Sequence, residues 1–143
     1  VYKRQIQGKI NLIERYLKEH LYKSSHTMDA QIAYAVNQIN AHEGKISISH
    51  LMNEVNLCQR HFERKFKLHT GFTPQKYNSI VKFKNAIKIL RNESSDNLLS
   101  VAVKAGYYDA SHLSREVKKL SGSTPNFFLS LPPDNETTII YTK

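Results

Sequence analysis

A four-residue pattern, Gly-x-Thr-Pro, occurs twice in this chain of 143 residues, at 71–74 and again at 122–125. Glycine readily adopts the left-handed conformation that ends a helix, and threonine can cap the helix that follows. Proline suits the first turn of that helix, where its missing N–H costs nothing. The pattern therefore predicts two joints, each fixing the angle between two consecutive helices.

The likeness between the two segments extends upstream of the joints. At the same offset, six identities pair His61 with His112, Arg64 with Arg115, Lys67 with Lys118, Gly71 with Gly122, Thr73 with Thr124 and Pro74 with Pro125. Each segment reads as a short helix (51–54 and 101–104), a tight turn (55–57 and 105–107) and a longer helix (58–68 and 109–120). Asn56 and Gly106, which tolerate positive φ, occupy equivalent turn positions. This order is typical of a helix-turn-helix unit, whose second helix enters the DNA major groove.

Apolar residues follow a helical period through almost all of residues 9–130, and no alternating strand pattern is present there. We therefore predict an all-α fold with two helix-turn-helix subdomains joined by a long linking helix and preceded by an N-terminal amphipathic helix. The linking helix presents an apolar stripe of Ile80, Phe83, Ile87 and Leu90. A chain of this length can bury one compact core, or two small cores that share a helix.

The expected domain boundaries are 1–27 for an N-terminal extension and linker, 28–130 for the DNA-binding domain and 131–143 for a flexible tail. Within the domain we expect the first unit at about 46–72, the linking helix at about 74–91 and the second unit at about 96–124. Codons that can encode residues 1–5 resemble a transposon end used in sequencing libraries, so we exclude these residues as an expected artefact.

The N-terminal helix, predicted over 9–23, has its apolar stripe at Ile10, Ile13, Leu17 and Leu21. Two interpretations stay open: the helix ends a missing sensor or dimerisation domain, which we favour, or it covers the core of this domain. A polar linker at 24–27 follows it. Thr27 or Asp29 is then expected to cap a helix that faces the core through Ile32, Val36 and Ile39 and ends at Gly44.

Positive charge dominates the chain, with 21 Lys and Arg against 12 Asp and Glu, so a polyanion is the first partner to consider. Residues 58–91 hold nine of these cations and one acid, Glu63. On the first long helix, Cys58, Phe62, Phe66 and His69 share an apolar face, opposite Arg60, Arg64 and Lys67. On the second long helix, Leu113, Val117 and Leu120 form the apolar face, and Ser111, Arg115 and Lys118 lie on the opposite, polar face. The charge map makes Lys67, Lys76, Lys84 and Lys118 candidates for contacts with DNA phosphates.

Enzymatic and metal-binding functions find little support in the sequence. One Cys and seven His without an i, i+4 pair do not match the ligand sets of structural zinc sites, and we expect no metal or cofactor. No nucleophile elbow, Gly-rich phosphate loop or paired-carboxylate site is evident, so the chain is not expected to be an enzyme. No membrane span or signal peptide is seen, which favours a cytoplasmic protein without a membrane partner. His61 and His112 are read either as base contacts or as partly buried, satisfied side chains, and Cys58 either as a redox switch or as a packed or capping residue.

The two segments resemble the DNA-binding domain of the AraC/XylS family of bacterial transcription regulators over about residues 30–129. The first segment carries LMNEVNLCQRHFERKFKLHTGFTPQKY and FKNAIKIL, and the second carries AVKAGYYDASHLSREVKKLSGSTPNFF. The resemblance implies two recognition helices in successive major-groove segments, about 34 Å apart. By position, it makes base-reading candidates of Gln59, Arg60, Glu63, Arg64, Ala110, Ser111, Ser114 and Arg115. It also implies promoter DNA and RNA polymerase as partners, with a homodimer formed through the upstream region.

Some residues depart from the family pattern. Met52 and Cys58 replace smaller or hydroxylated residues, so the first unit is expected to pack differently. Leu113 and Val117 replace Phe, so a smaller second core is expected, and Lys82 stands where Arg is common. Two rival functions remain open: a helical module that binds an acidic protein partner through its basic face, and a nucleic-acid binder without sequence preference.

Overall fold

The computed structural model describes residues 2–23, 28–92 and 97–131, with side chains described from residue 6 to 20 in the first range. These residues form eight α-helices and no strand, which confirms the predicted all-α fold in the described ranges. The helices are α1 (Tyr2–Lys23), α2 (Ala30–Ala41), α3 (Ile48–Glu54), α4 (Gln59–Thr70), α5 (Pro74–Asn92), α6 (Leu98–Lys104), α7 (Ala110–Ser121) and α8 (Pro125–Leu129).

Two separate hydrophobic cores share the linking helix α5. The first core is formed by α2, α3 and α4 and contains Ile32, Ala35, Ile39, Ile48, Leu51, Val55, Phe62 and Phe66. The second contains Ala86, Leu90, Val101, Ala102, Ala105, Tyr107, Leu113, Val117 and Phe128. Tyr77 and Val81 of α5 pack against the first core, whereas Ala86 and Leu90 belong to the second. Of the two arrangements that the chain length allows, the described residues adopt two small cores with a common helix.

Both helix-turn-helix units have the predicted joints. Gly71 and Gly122 end α4 and α7 in the left-handed conformation, with φ of 79° and 76°. The equivalent turn residues Asn56 and Gly106 also have positive φ, as predicted. Thr124 is the N-cap residue of α8, but its side chain makes no capping hydrogen bond. In the first joint, by contrast, the Thr73 hydroxyl accepts a hydrogen bond from the Lys76 backbone N–H at 3.3 Å.

Several boundaries differ from the predictions, and the two short helices begin earlier because their polar caps lie further upstream. The short helices begin at Ile48 and Leu98, where the side chains of Ser47 and Asn97 accept backbone hydrogen bonds. Asp29, one of the two predicted caps, starts α2 by accepting from the Gln31 N–H at 3.0 Å. The N-terminal helix begins at Tyr2 rather than at residue 9. Leu131, predicted to start the flexible tail, packs against the second core.

The remaining boundary predictions fall on residues outside the described ranges. They are the linker at 24–27, Thr27 as a cap, residue 96 at the start of the second unit and the tail from 132 onward. No described helix combines the length and apolar character needed to cross a membrane.

Ile10, Ile13 and Leu17 of the α1 stripe face solvent, while the side chain of Leu21 lies outside the described residues. Every described side chain from 6 to 20 is exposed, and Ile10, Ile13 and Leu17 are 44%, 58% and 53% exposed. These three residues therefore cover neither core. The described part of α1 contradicts the interpretation that its stripe serves the core of this domain.

Tyr107 should make the second core sensitive to high pH. Burial, reinforced by the nearby Glu116 carboxylate, raises the pKa of this phenol from 10.0 to about 12. Its neutral form is favoured in the folded state, so its contribution to stability is full below pH 10 and is lost as the pH rises to 12. The loss should reach about 1–2 kcal/mol, because solvent screening reduces the effect of the shift on a phenol that is not fully enclosed. Denaturant unfolding of the wild type and Tyr107→Phe across this range should therefore show a weaker pH dependence in the variant. Tyr108→Phe, which removes an exposed phenol, should keep the wild-type dependence.

Candidate nucleic-acid interface

Helix α4 separates an apolar back from a cationic front. Phe62 and Phe66, four residues apart, are fully buried in the first core. Arg60, Arg64 and Lys67 lie on the opposite side and are exposed. The burial of the two phenylalanines therefore determines that this cationic stripe faces outward, because residues at i and i+4 share one face of a helix.

The front of α4 borders an open surface depression. It is lined by Gln59, Arg60, Glu63, Arg64, Lys67 and Thr73. The structure thus brings together all four base-reading candidates of the first helix, one phosphate candidate and Thr73, which the sequence had not singled out for binding. The Gln59 amide donates to Glu63 Oε1 at 2.9 Å, which holds these two side chains in a defined relation.

Cys58 and the histidines differ in part from their predicted positions. Cys58 is exposed and takes the N-cap position of α4 without a side-chain capping bond, so its predicted place on the apolar face is wrong. Its backbone lies outside the first helical turn, where the periodic projection no longer applies. His61 is exposed rather than partly buried, whereas His69 is half-buried as an apolar-face residue. His112 is also half-buried, with its ring edge-on to Tyr107 at 5.4 Å between centroids.

Helix α7 presents a more polar front than α4. Asp109 caps its start by accepting from the His112 N–H at 2.6 Å, and Leu113 and Val117 are fully buried behind. On the front, Ser111, Arg115 and Lys118 are exposed, while Ala110 and Ser114 are half-buried.

Two of the candidate side chains on α7 already bond to their own helix. The Ser114 hydroxyl donates to the Ala110 carbonyl at 2.8 Å, and Arg115 Nε donates to the Ser111 carbonyl at 3.4 Å. Ser114 therefore retains an oxygen that can accept a hydrogen bond, and Arg115 retains its terminal guanidinium N–H groups for a ligand.

Some lysines of the basic segment 58–91 bond to other parts of the protein and hold the helices together. Lys65 pairs with Asp29 at 2.7 Å and joins α4 to the start of α2, which lowers the pKa of the Asp29 carboxyl. Lys82 donates to the Gly106 carbonyl at 3.1 Å. The single sequence offers no signal for either contact, because the partners lie far apart along the chain. The phosphate candidates Lys76 and Lys84 on α5 are exposed.

No group of three or more His, Cys, Asp and Glu residues suited to a metal ion occurs within the described ranges. The side chains on the fronts of α4 and α7 present guanidinium, ammonium, amide, hydroxyl and carboxylate groups.

Comparison with known proteins agrees with this geometry. A family model described as a helix-turn-helix domain matches residues 51–130, which span the end of α3 through α8. The chain belongs to the AraC/XylS family. It is 26% identical over 117 residues to the HTH-type transcriptional activator RhaS of Escherichia fergusonii, a match that covers 81% of this chain and 42% of RhaS. The chain thus spans less than half the length of this relative.

Solved structures share the AraC-type fold. The C-terminal domain of AraT, a response regulator from Geobacillus stearothermophilus, matches 78% of this chain and 93% of its own with a TM-score of 0.68 and 17% identity. The DNA-binding domain of AdpA, a global transcriptional factor crystallised in complex with a target DNA, matches 71% of this chain and 92% of its own with a TM-score of 0.64 and 20% identity. These similar proteins are named as regulators, RhaS and AdpA of transcription, and not as enzymes.

Proposed function

We propose that the chain binds promoter DNA sequence-specifically by inserting α4 and α7 into successive major-groove segments. The observation that carries this proposal is that both helices have a buried apolar back and an exposed polar front and pack on the same linking helix. Two reading helices on one face of DNA would lie about one helical turn, or 34 Å, apart.

The proposed contacts divide into base readers and phosphate binders. Arg60, Arg64 and Arg115 can each donate two hydrogen bonds to guanine O6 and N7, and Gln59 can bond adenine N6 and N7. Glu63, Ser111 and Ser114 offer further polar contacts, while Ala110 can meet a thymine methyl group. Lys67, Lys76, Lys84 and Lys118 would bind phosphates and set the position of the helices without selecting a sequence.

The wider role that we propose is transcription activation through RNA polymerase at promoters, supported by the similarity to RhaS, which is named a transcriptional activator. We assign the DNA-binding role to residues 28–130 and propose a cytoplasmic location.

We also propose that the upstream region associates with a second copy. The support is the exposed stripe of Ile10, Ile13 and Leu17 on α1. An apolar stripe of this kind normally packs against other apolar residues, and burying it against a second copy would stabilise the pair. Sedimentation of the chain should show a concentration-dependent dimer that weakens when these three residues are changed to Gln. A wild-type chain that remains monomeric at high concentration would contradict this assignment.

Selection from a random DNA pool tests the function directly. The expected result is an asymmetric site with two half-elements about one helical turn apart, bound more tightly than a scrambled control at two salt concentrations. If no site is enriched and affinity only follows salt, the chain is a nucleic-acid binder without sequence preference. If binding to a protein is tight and DNA binding is weak at any sequence, the basic face serves a protein partner.

Arg64→Ala should lower affinity for the selected site by about 1–3 kcal/mol and relax the preference at particular base pairs. The reason is that the exposed Arg64 guanidinium can bond a guanine edge from the front of α4. Lys84→Ala is the matched phosphate variant, which should weaken binding to all sequences alike and reduce the salt slope by about one. Titrations over a panel of sites with single base changes measure both effects. Identical profiles for the two variants would show that the division into readers and phosphate binders is wrong.

A further inference from the structure

A loop of the first subdomain reaches the turn of the second. The loop comprises Glu43, Gly44 and Lys45, between α2 and α3, and it lies against α5. A Cβ atom built on Gly44 would be 2.5 Å from the Lys82 backbone nitrogen, so the two backbones are in direct contact. We call this loop, together with Lys82, Asn85 and Gly106, the loop junction.

Polar contacts attach the loop to α5. Glu43 Oε2 accepts from the buried Asn85 amide at 3.2 Å and pairs with Lys45 Nζ at 2.8 Å. The hydrogen bond from the Lys45 ammonium, together with its charge, lowers the pKa of the Glu43 carboxyl below its ordinary value. Glu43 and Gly44 both have positive φ, of 53° and 73°. The left-handed φ of Glu43, which is not a glycine, has a conformational cost that the contacts of the junction can offset.

The second subdomain enters the loop junction through the turn between α6 and α7. The Lys45 side chain lies directly on Gly106, since a Cβ built there would be 2.8 Å from Lys45 Cγ. Lys82 donates to the Gly106 carbonyl at 3.1 Å, and its ammonium lies 5.4 Å from the centroid of the Tyr107 ring. Burial lowers the pKa of Lys82, in agreement with a side chain directed into the protein.

A single helix between two subdomains leaves their relative position sensitive to bending of that helix. A second connection, at a turn that precedes α7, restricts this movement. We infer that the loop junction fixes the separation and rotation of α4 relative to α7, and so sets which spacing between DNA half-elements the chain accepts. This inference rests on the proposed function and adds a spacing determinant that touches no DNA.

The preferred spacing between the two DNA half-elements tests the role of the loop junction separately from the contacts with bases. One base pair changes the separation of two half-elements by about 3.4 Å and their rotation by about 35°. The wild-type selected site should be rebuilt with spacers one base pair shorter and longer, and affinities measured for each. Wild-type protein should discriminate sharply against both altered spacers.

Lys82→Met keeps the aliphatic stem and removes the ammonium that bonds Gly106. It should reduce discrimination between spacers by roughly 2- to 30-fold, the range commonly seen for coupling residues, while base preference within each half-element stays unchanged. Lys65→Met is the matched control, because Lys65 pairs with Asp29 inside the first subdomain. It should keep the wild-type spacing profile.

Unchanged spacer discrimination in Lys82→Met would overturn the inference. If circular dichroism shows that this variant is unfolded, Glu43→Gln decides the question, since it weakens the contact with Lys45 without shortening the side chain. Wild-type discrimination in a folded Glu43→Gln chain would likewise refute the role. A wild type that selects no two-part site would instead refute the proposed function.

Discussion

Gly44→Ala should unfold or severely destabilise the first subdomain, with a loss of more than about 3 kcal/mol. The added Cβ would meet the Lys82 backbone nitrogen at 2.5 Å and the Asn78 carbonyl oxygen at 2.6 Å. Neither atom belongs to a flexible side chain, so α5 and the loop must separate to relieve the overlap. The φ of +73° adds a conformational cost that any L-residue with a Cβ bears.

Gly71→Ala isolates the conformational part of this effect. Its φ of +79° is nearly the same, but a Cβ there would have no heavy atom within 4 Å from any described residue other than its two chain neighbours. It should therefore cost only about 1–2 kcal/mol. Denaturant unfolding of the two variants measures the difference. Equal losses would mean that the approach of the loop to α5 does not limit stability.

Phe66→Ala should cost about 3–5 kcal/mol, the usual range for removing a buried phenylalanine. Phe66 is fully buried, and its ring centroid lies 5.6 Å from those of both Phe62 and Tyr77. Since Tyr77 belongs to α5, the substitution removes core volume and a contact that holds α4 on the linking helix. Specific DNA binding should fall with it because α4 loses its fixed position.

Hydrogen exchange followed along the chain measures where the Phe66→Ala loss occurs. Amides of α2 and α4 should exchange faster, whereas α7, whose Leu113 and Val117 belong to the other core, should be less affected. Phe72→Ala is the control, because that ring is 46% exposed and its loss should stay within about 0.5 kcal/mol. A uniform increase in exchange across both cores would show that the two subdomains unfold as one unit.

Local features of the fold were predictable from the sequence. The left-handed glycines at 71 and 122, the positive φ of Asn56 and the burial of Phe62 and Phe66 all followed from turn chemistry and helical spacing. Each depends on interactions within a few residues of chain. The outward direction of Arg60 and Arg64 is predictable for the same reason, since it follows from which face of α4 is apolar.

Other features depended on which elements pack together. No signal in the sequence indicates that Gly44 touches the backbone of α5, although the pattern predicts a helix end there. Composition counts Lys65 and Lys82 among the nine cations of the basic segment 58–91. In the structure, the Lys65 ammonium pairs with Asp29 and the Lys82 ammonium donates to the Gly106 carbonyl. The periodic projection places Cys58 on the apolar face because it extends one residue upstream of α4, where the backbone is no longer helical.

The sequence by itself determined the order of helices and joints and the outward face of each long helix, because these are set by backbone preferences and periodicity over short distances. Only the tertiary structure decided that two cores share α5, that the stripe of α1 covers neither described core and that residues 43–45 connect the two subdomains. These features bring together residues that are far apart in the chain, and the contacts that stabilise them form only when the helices pack.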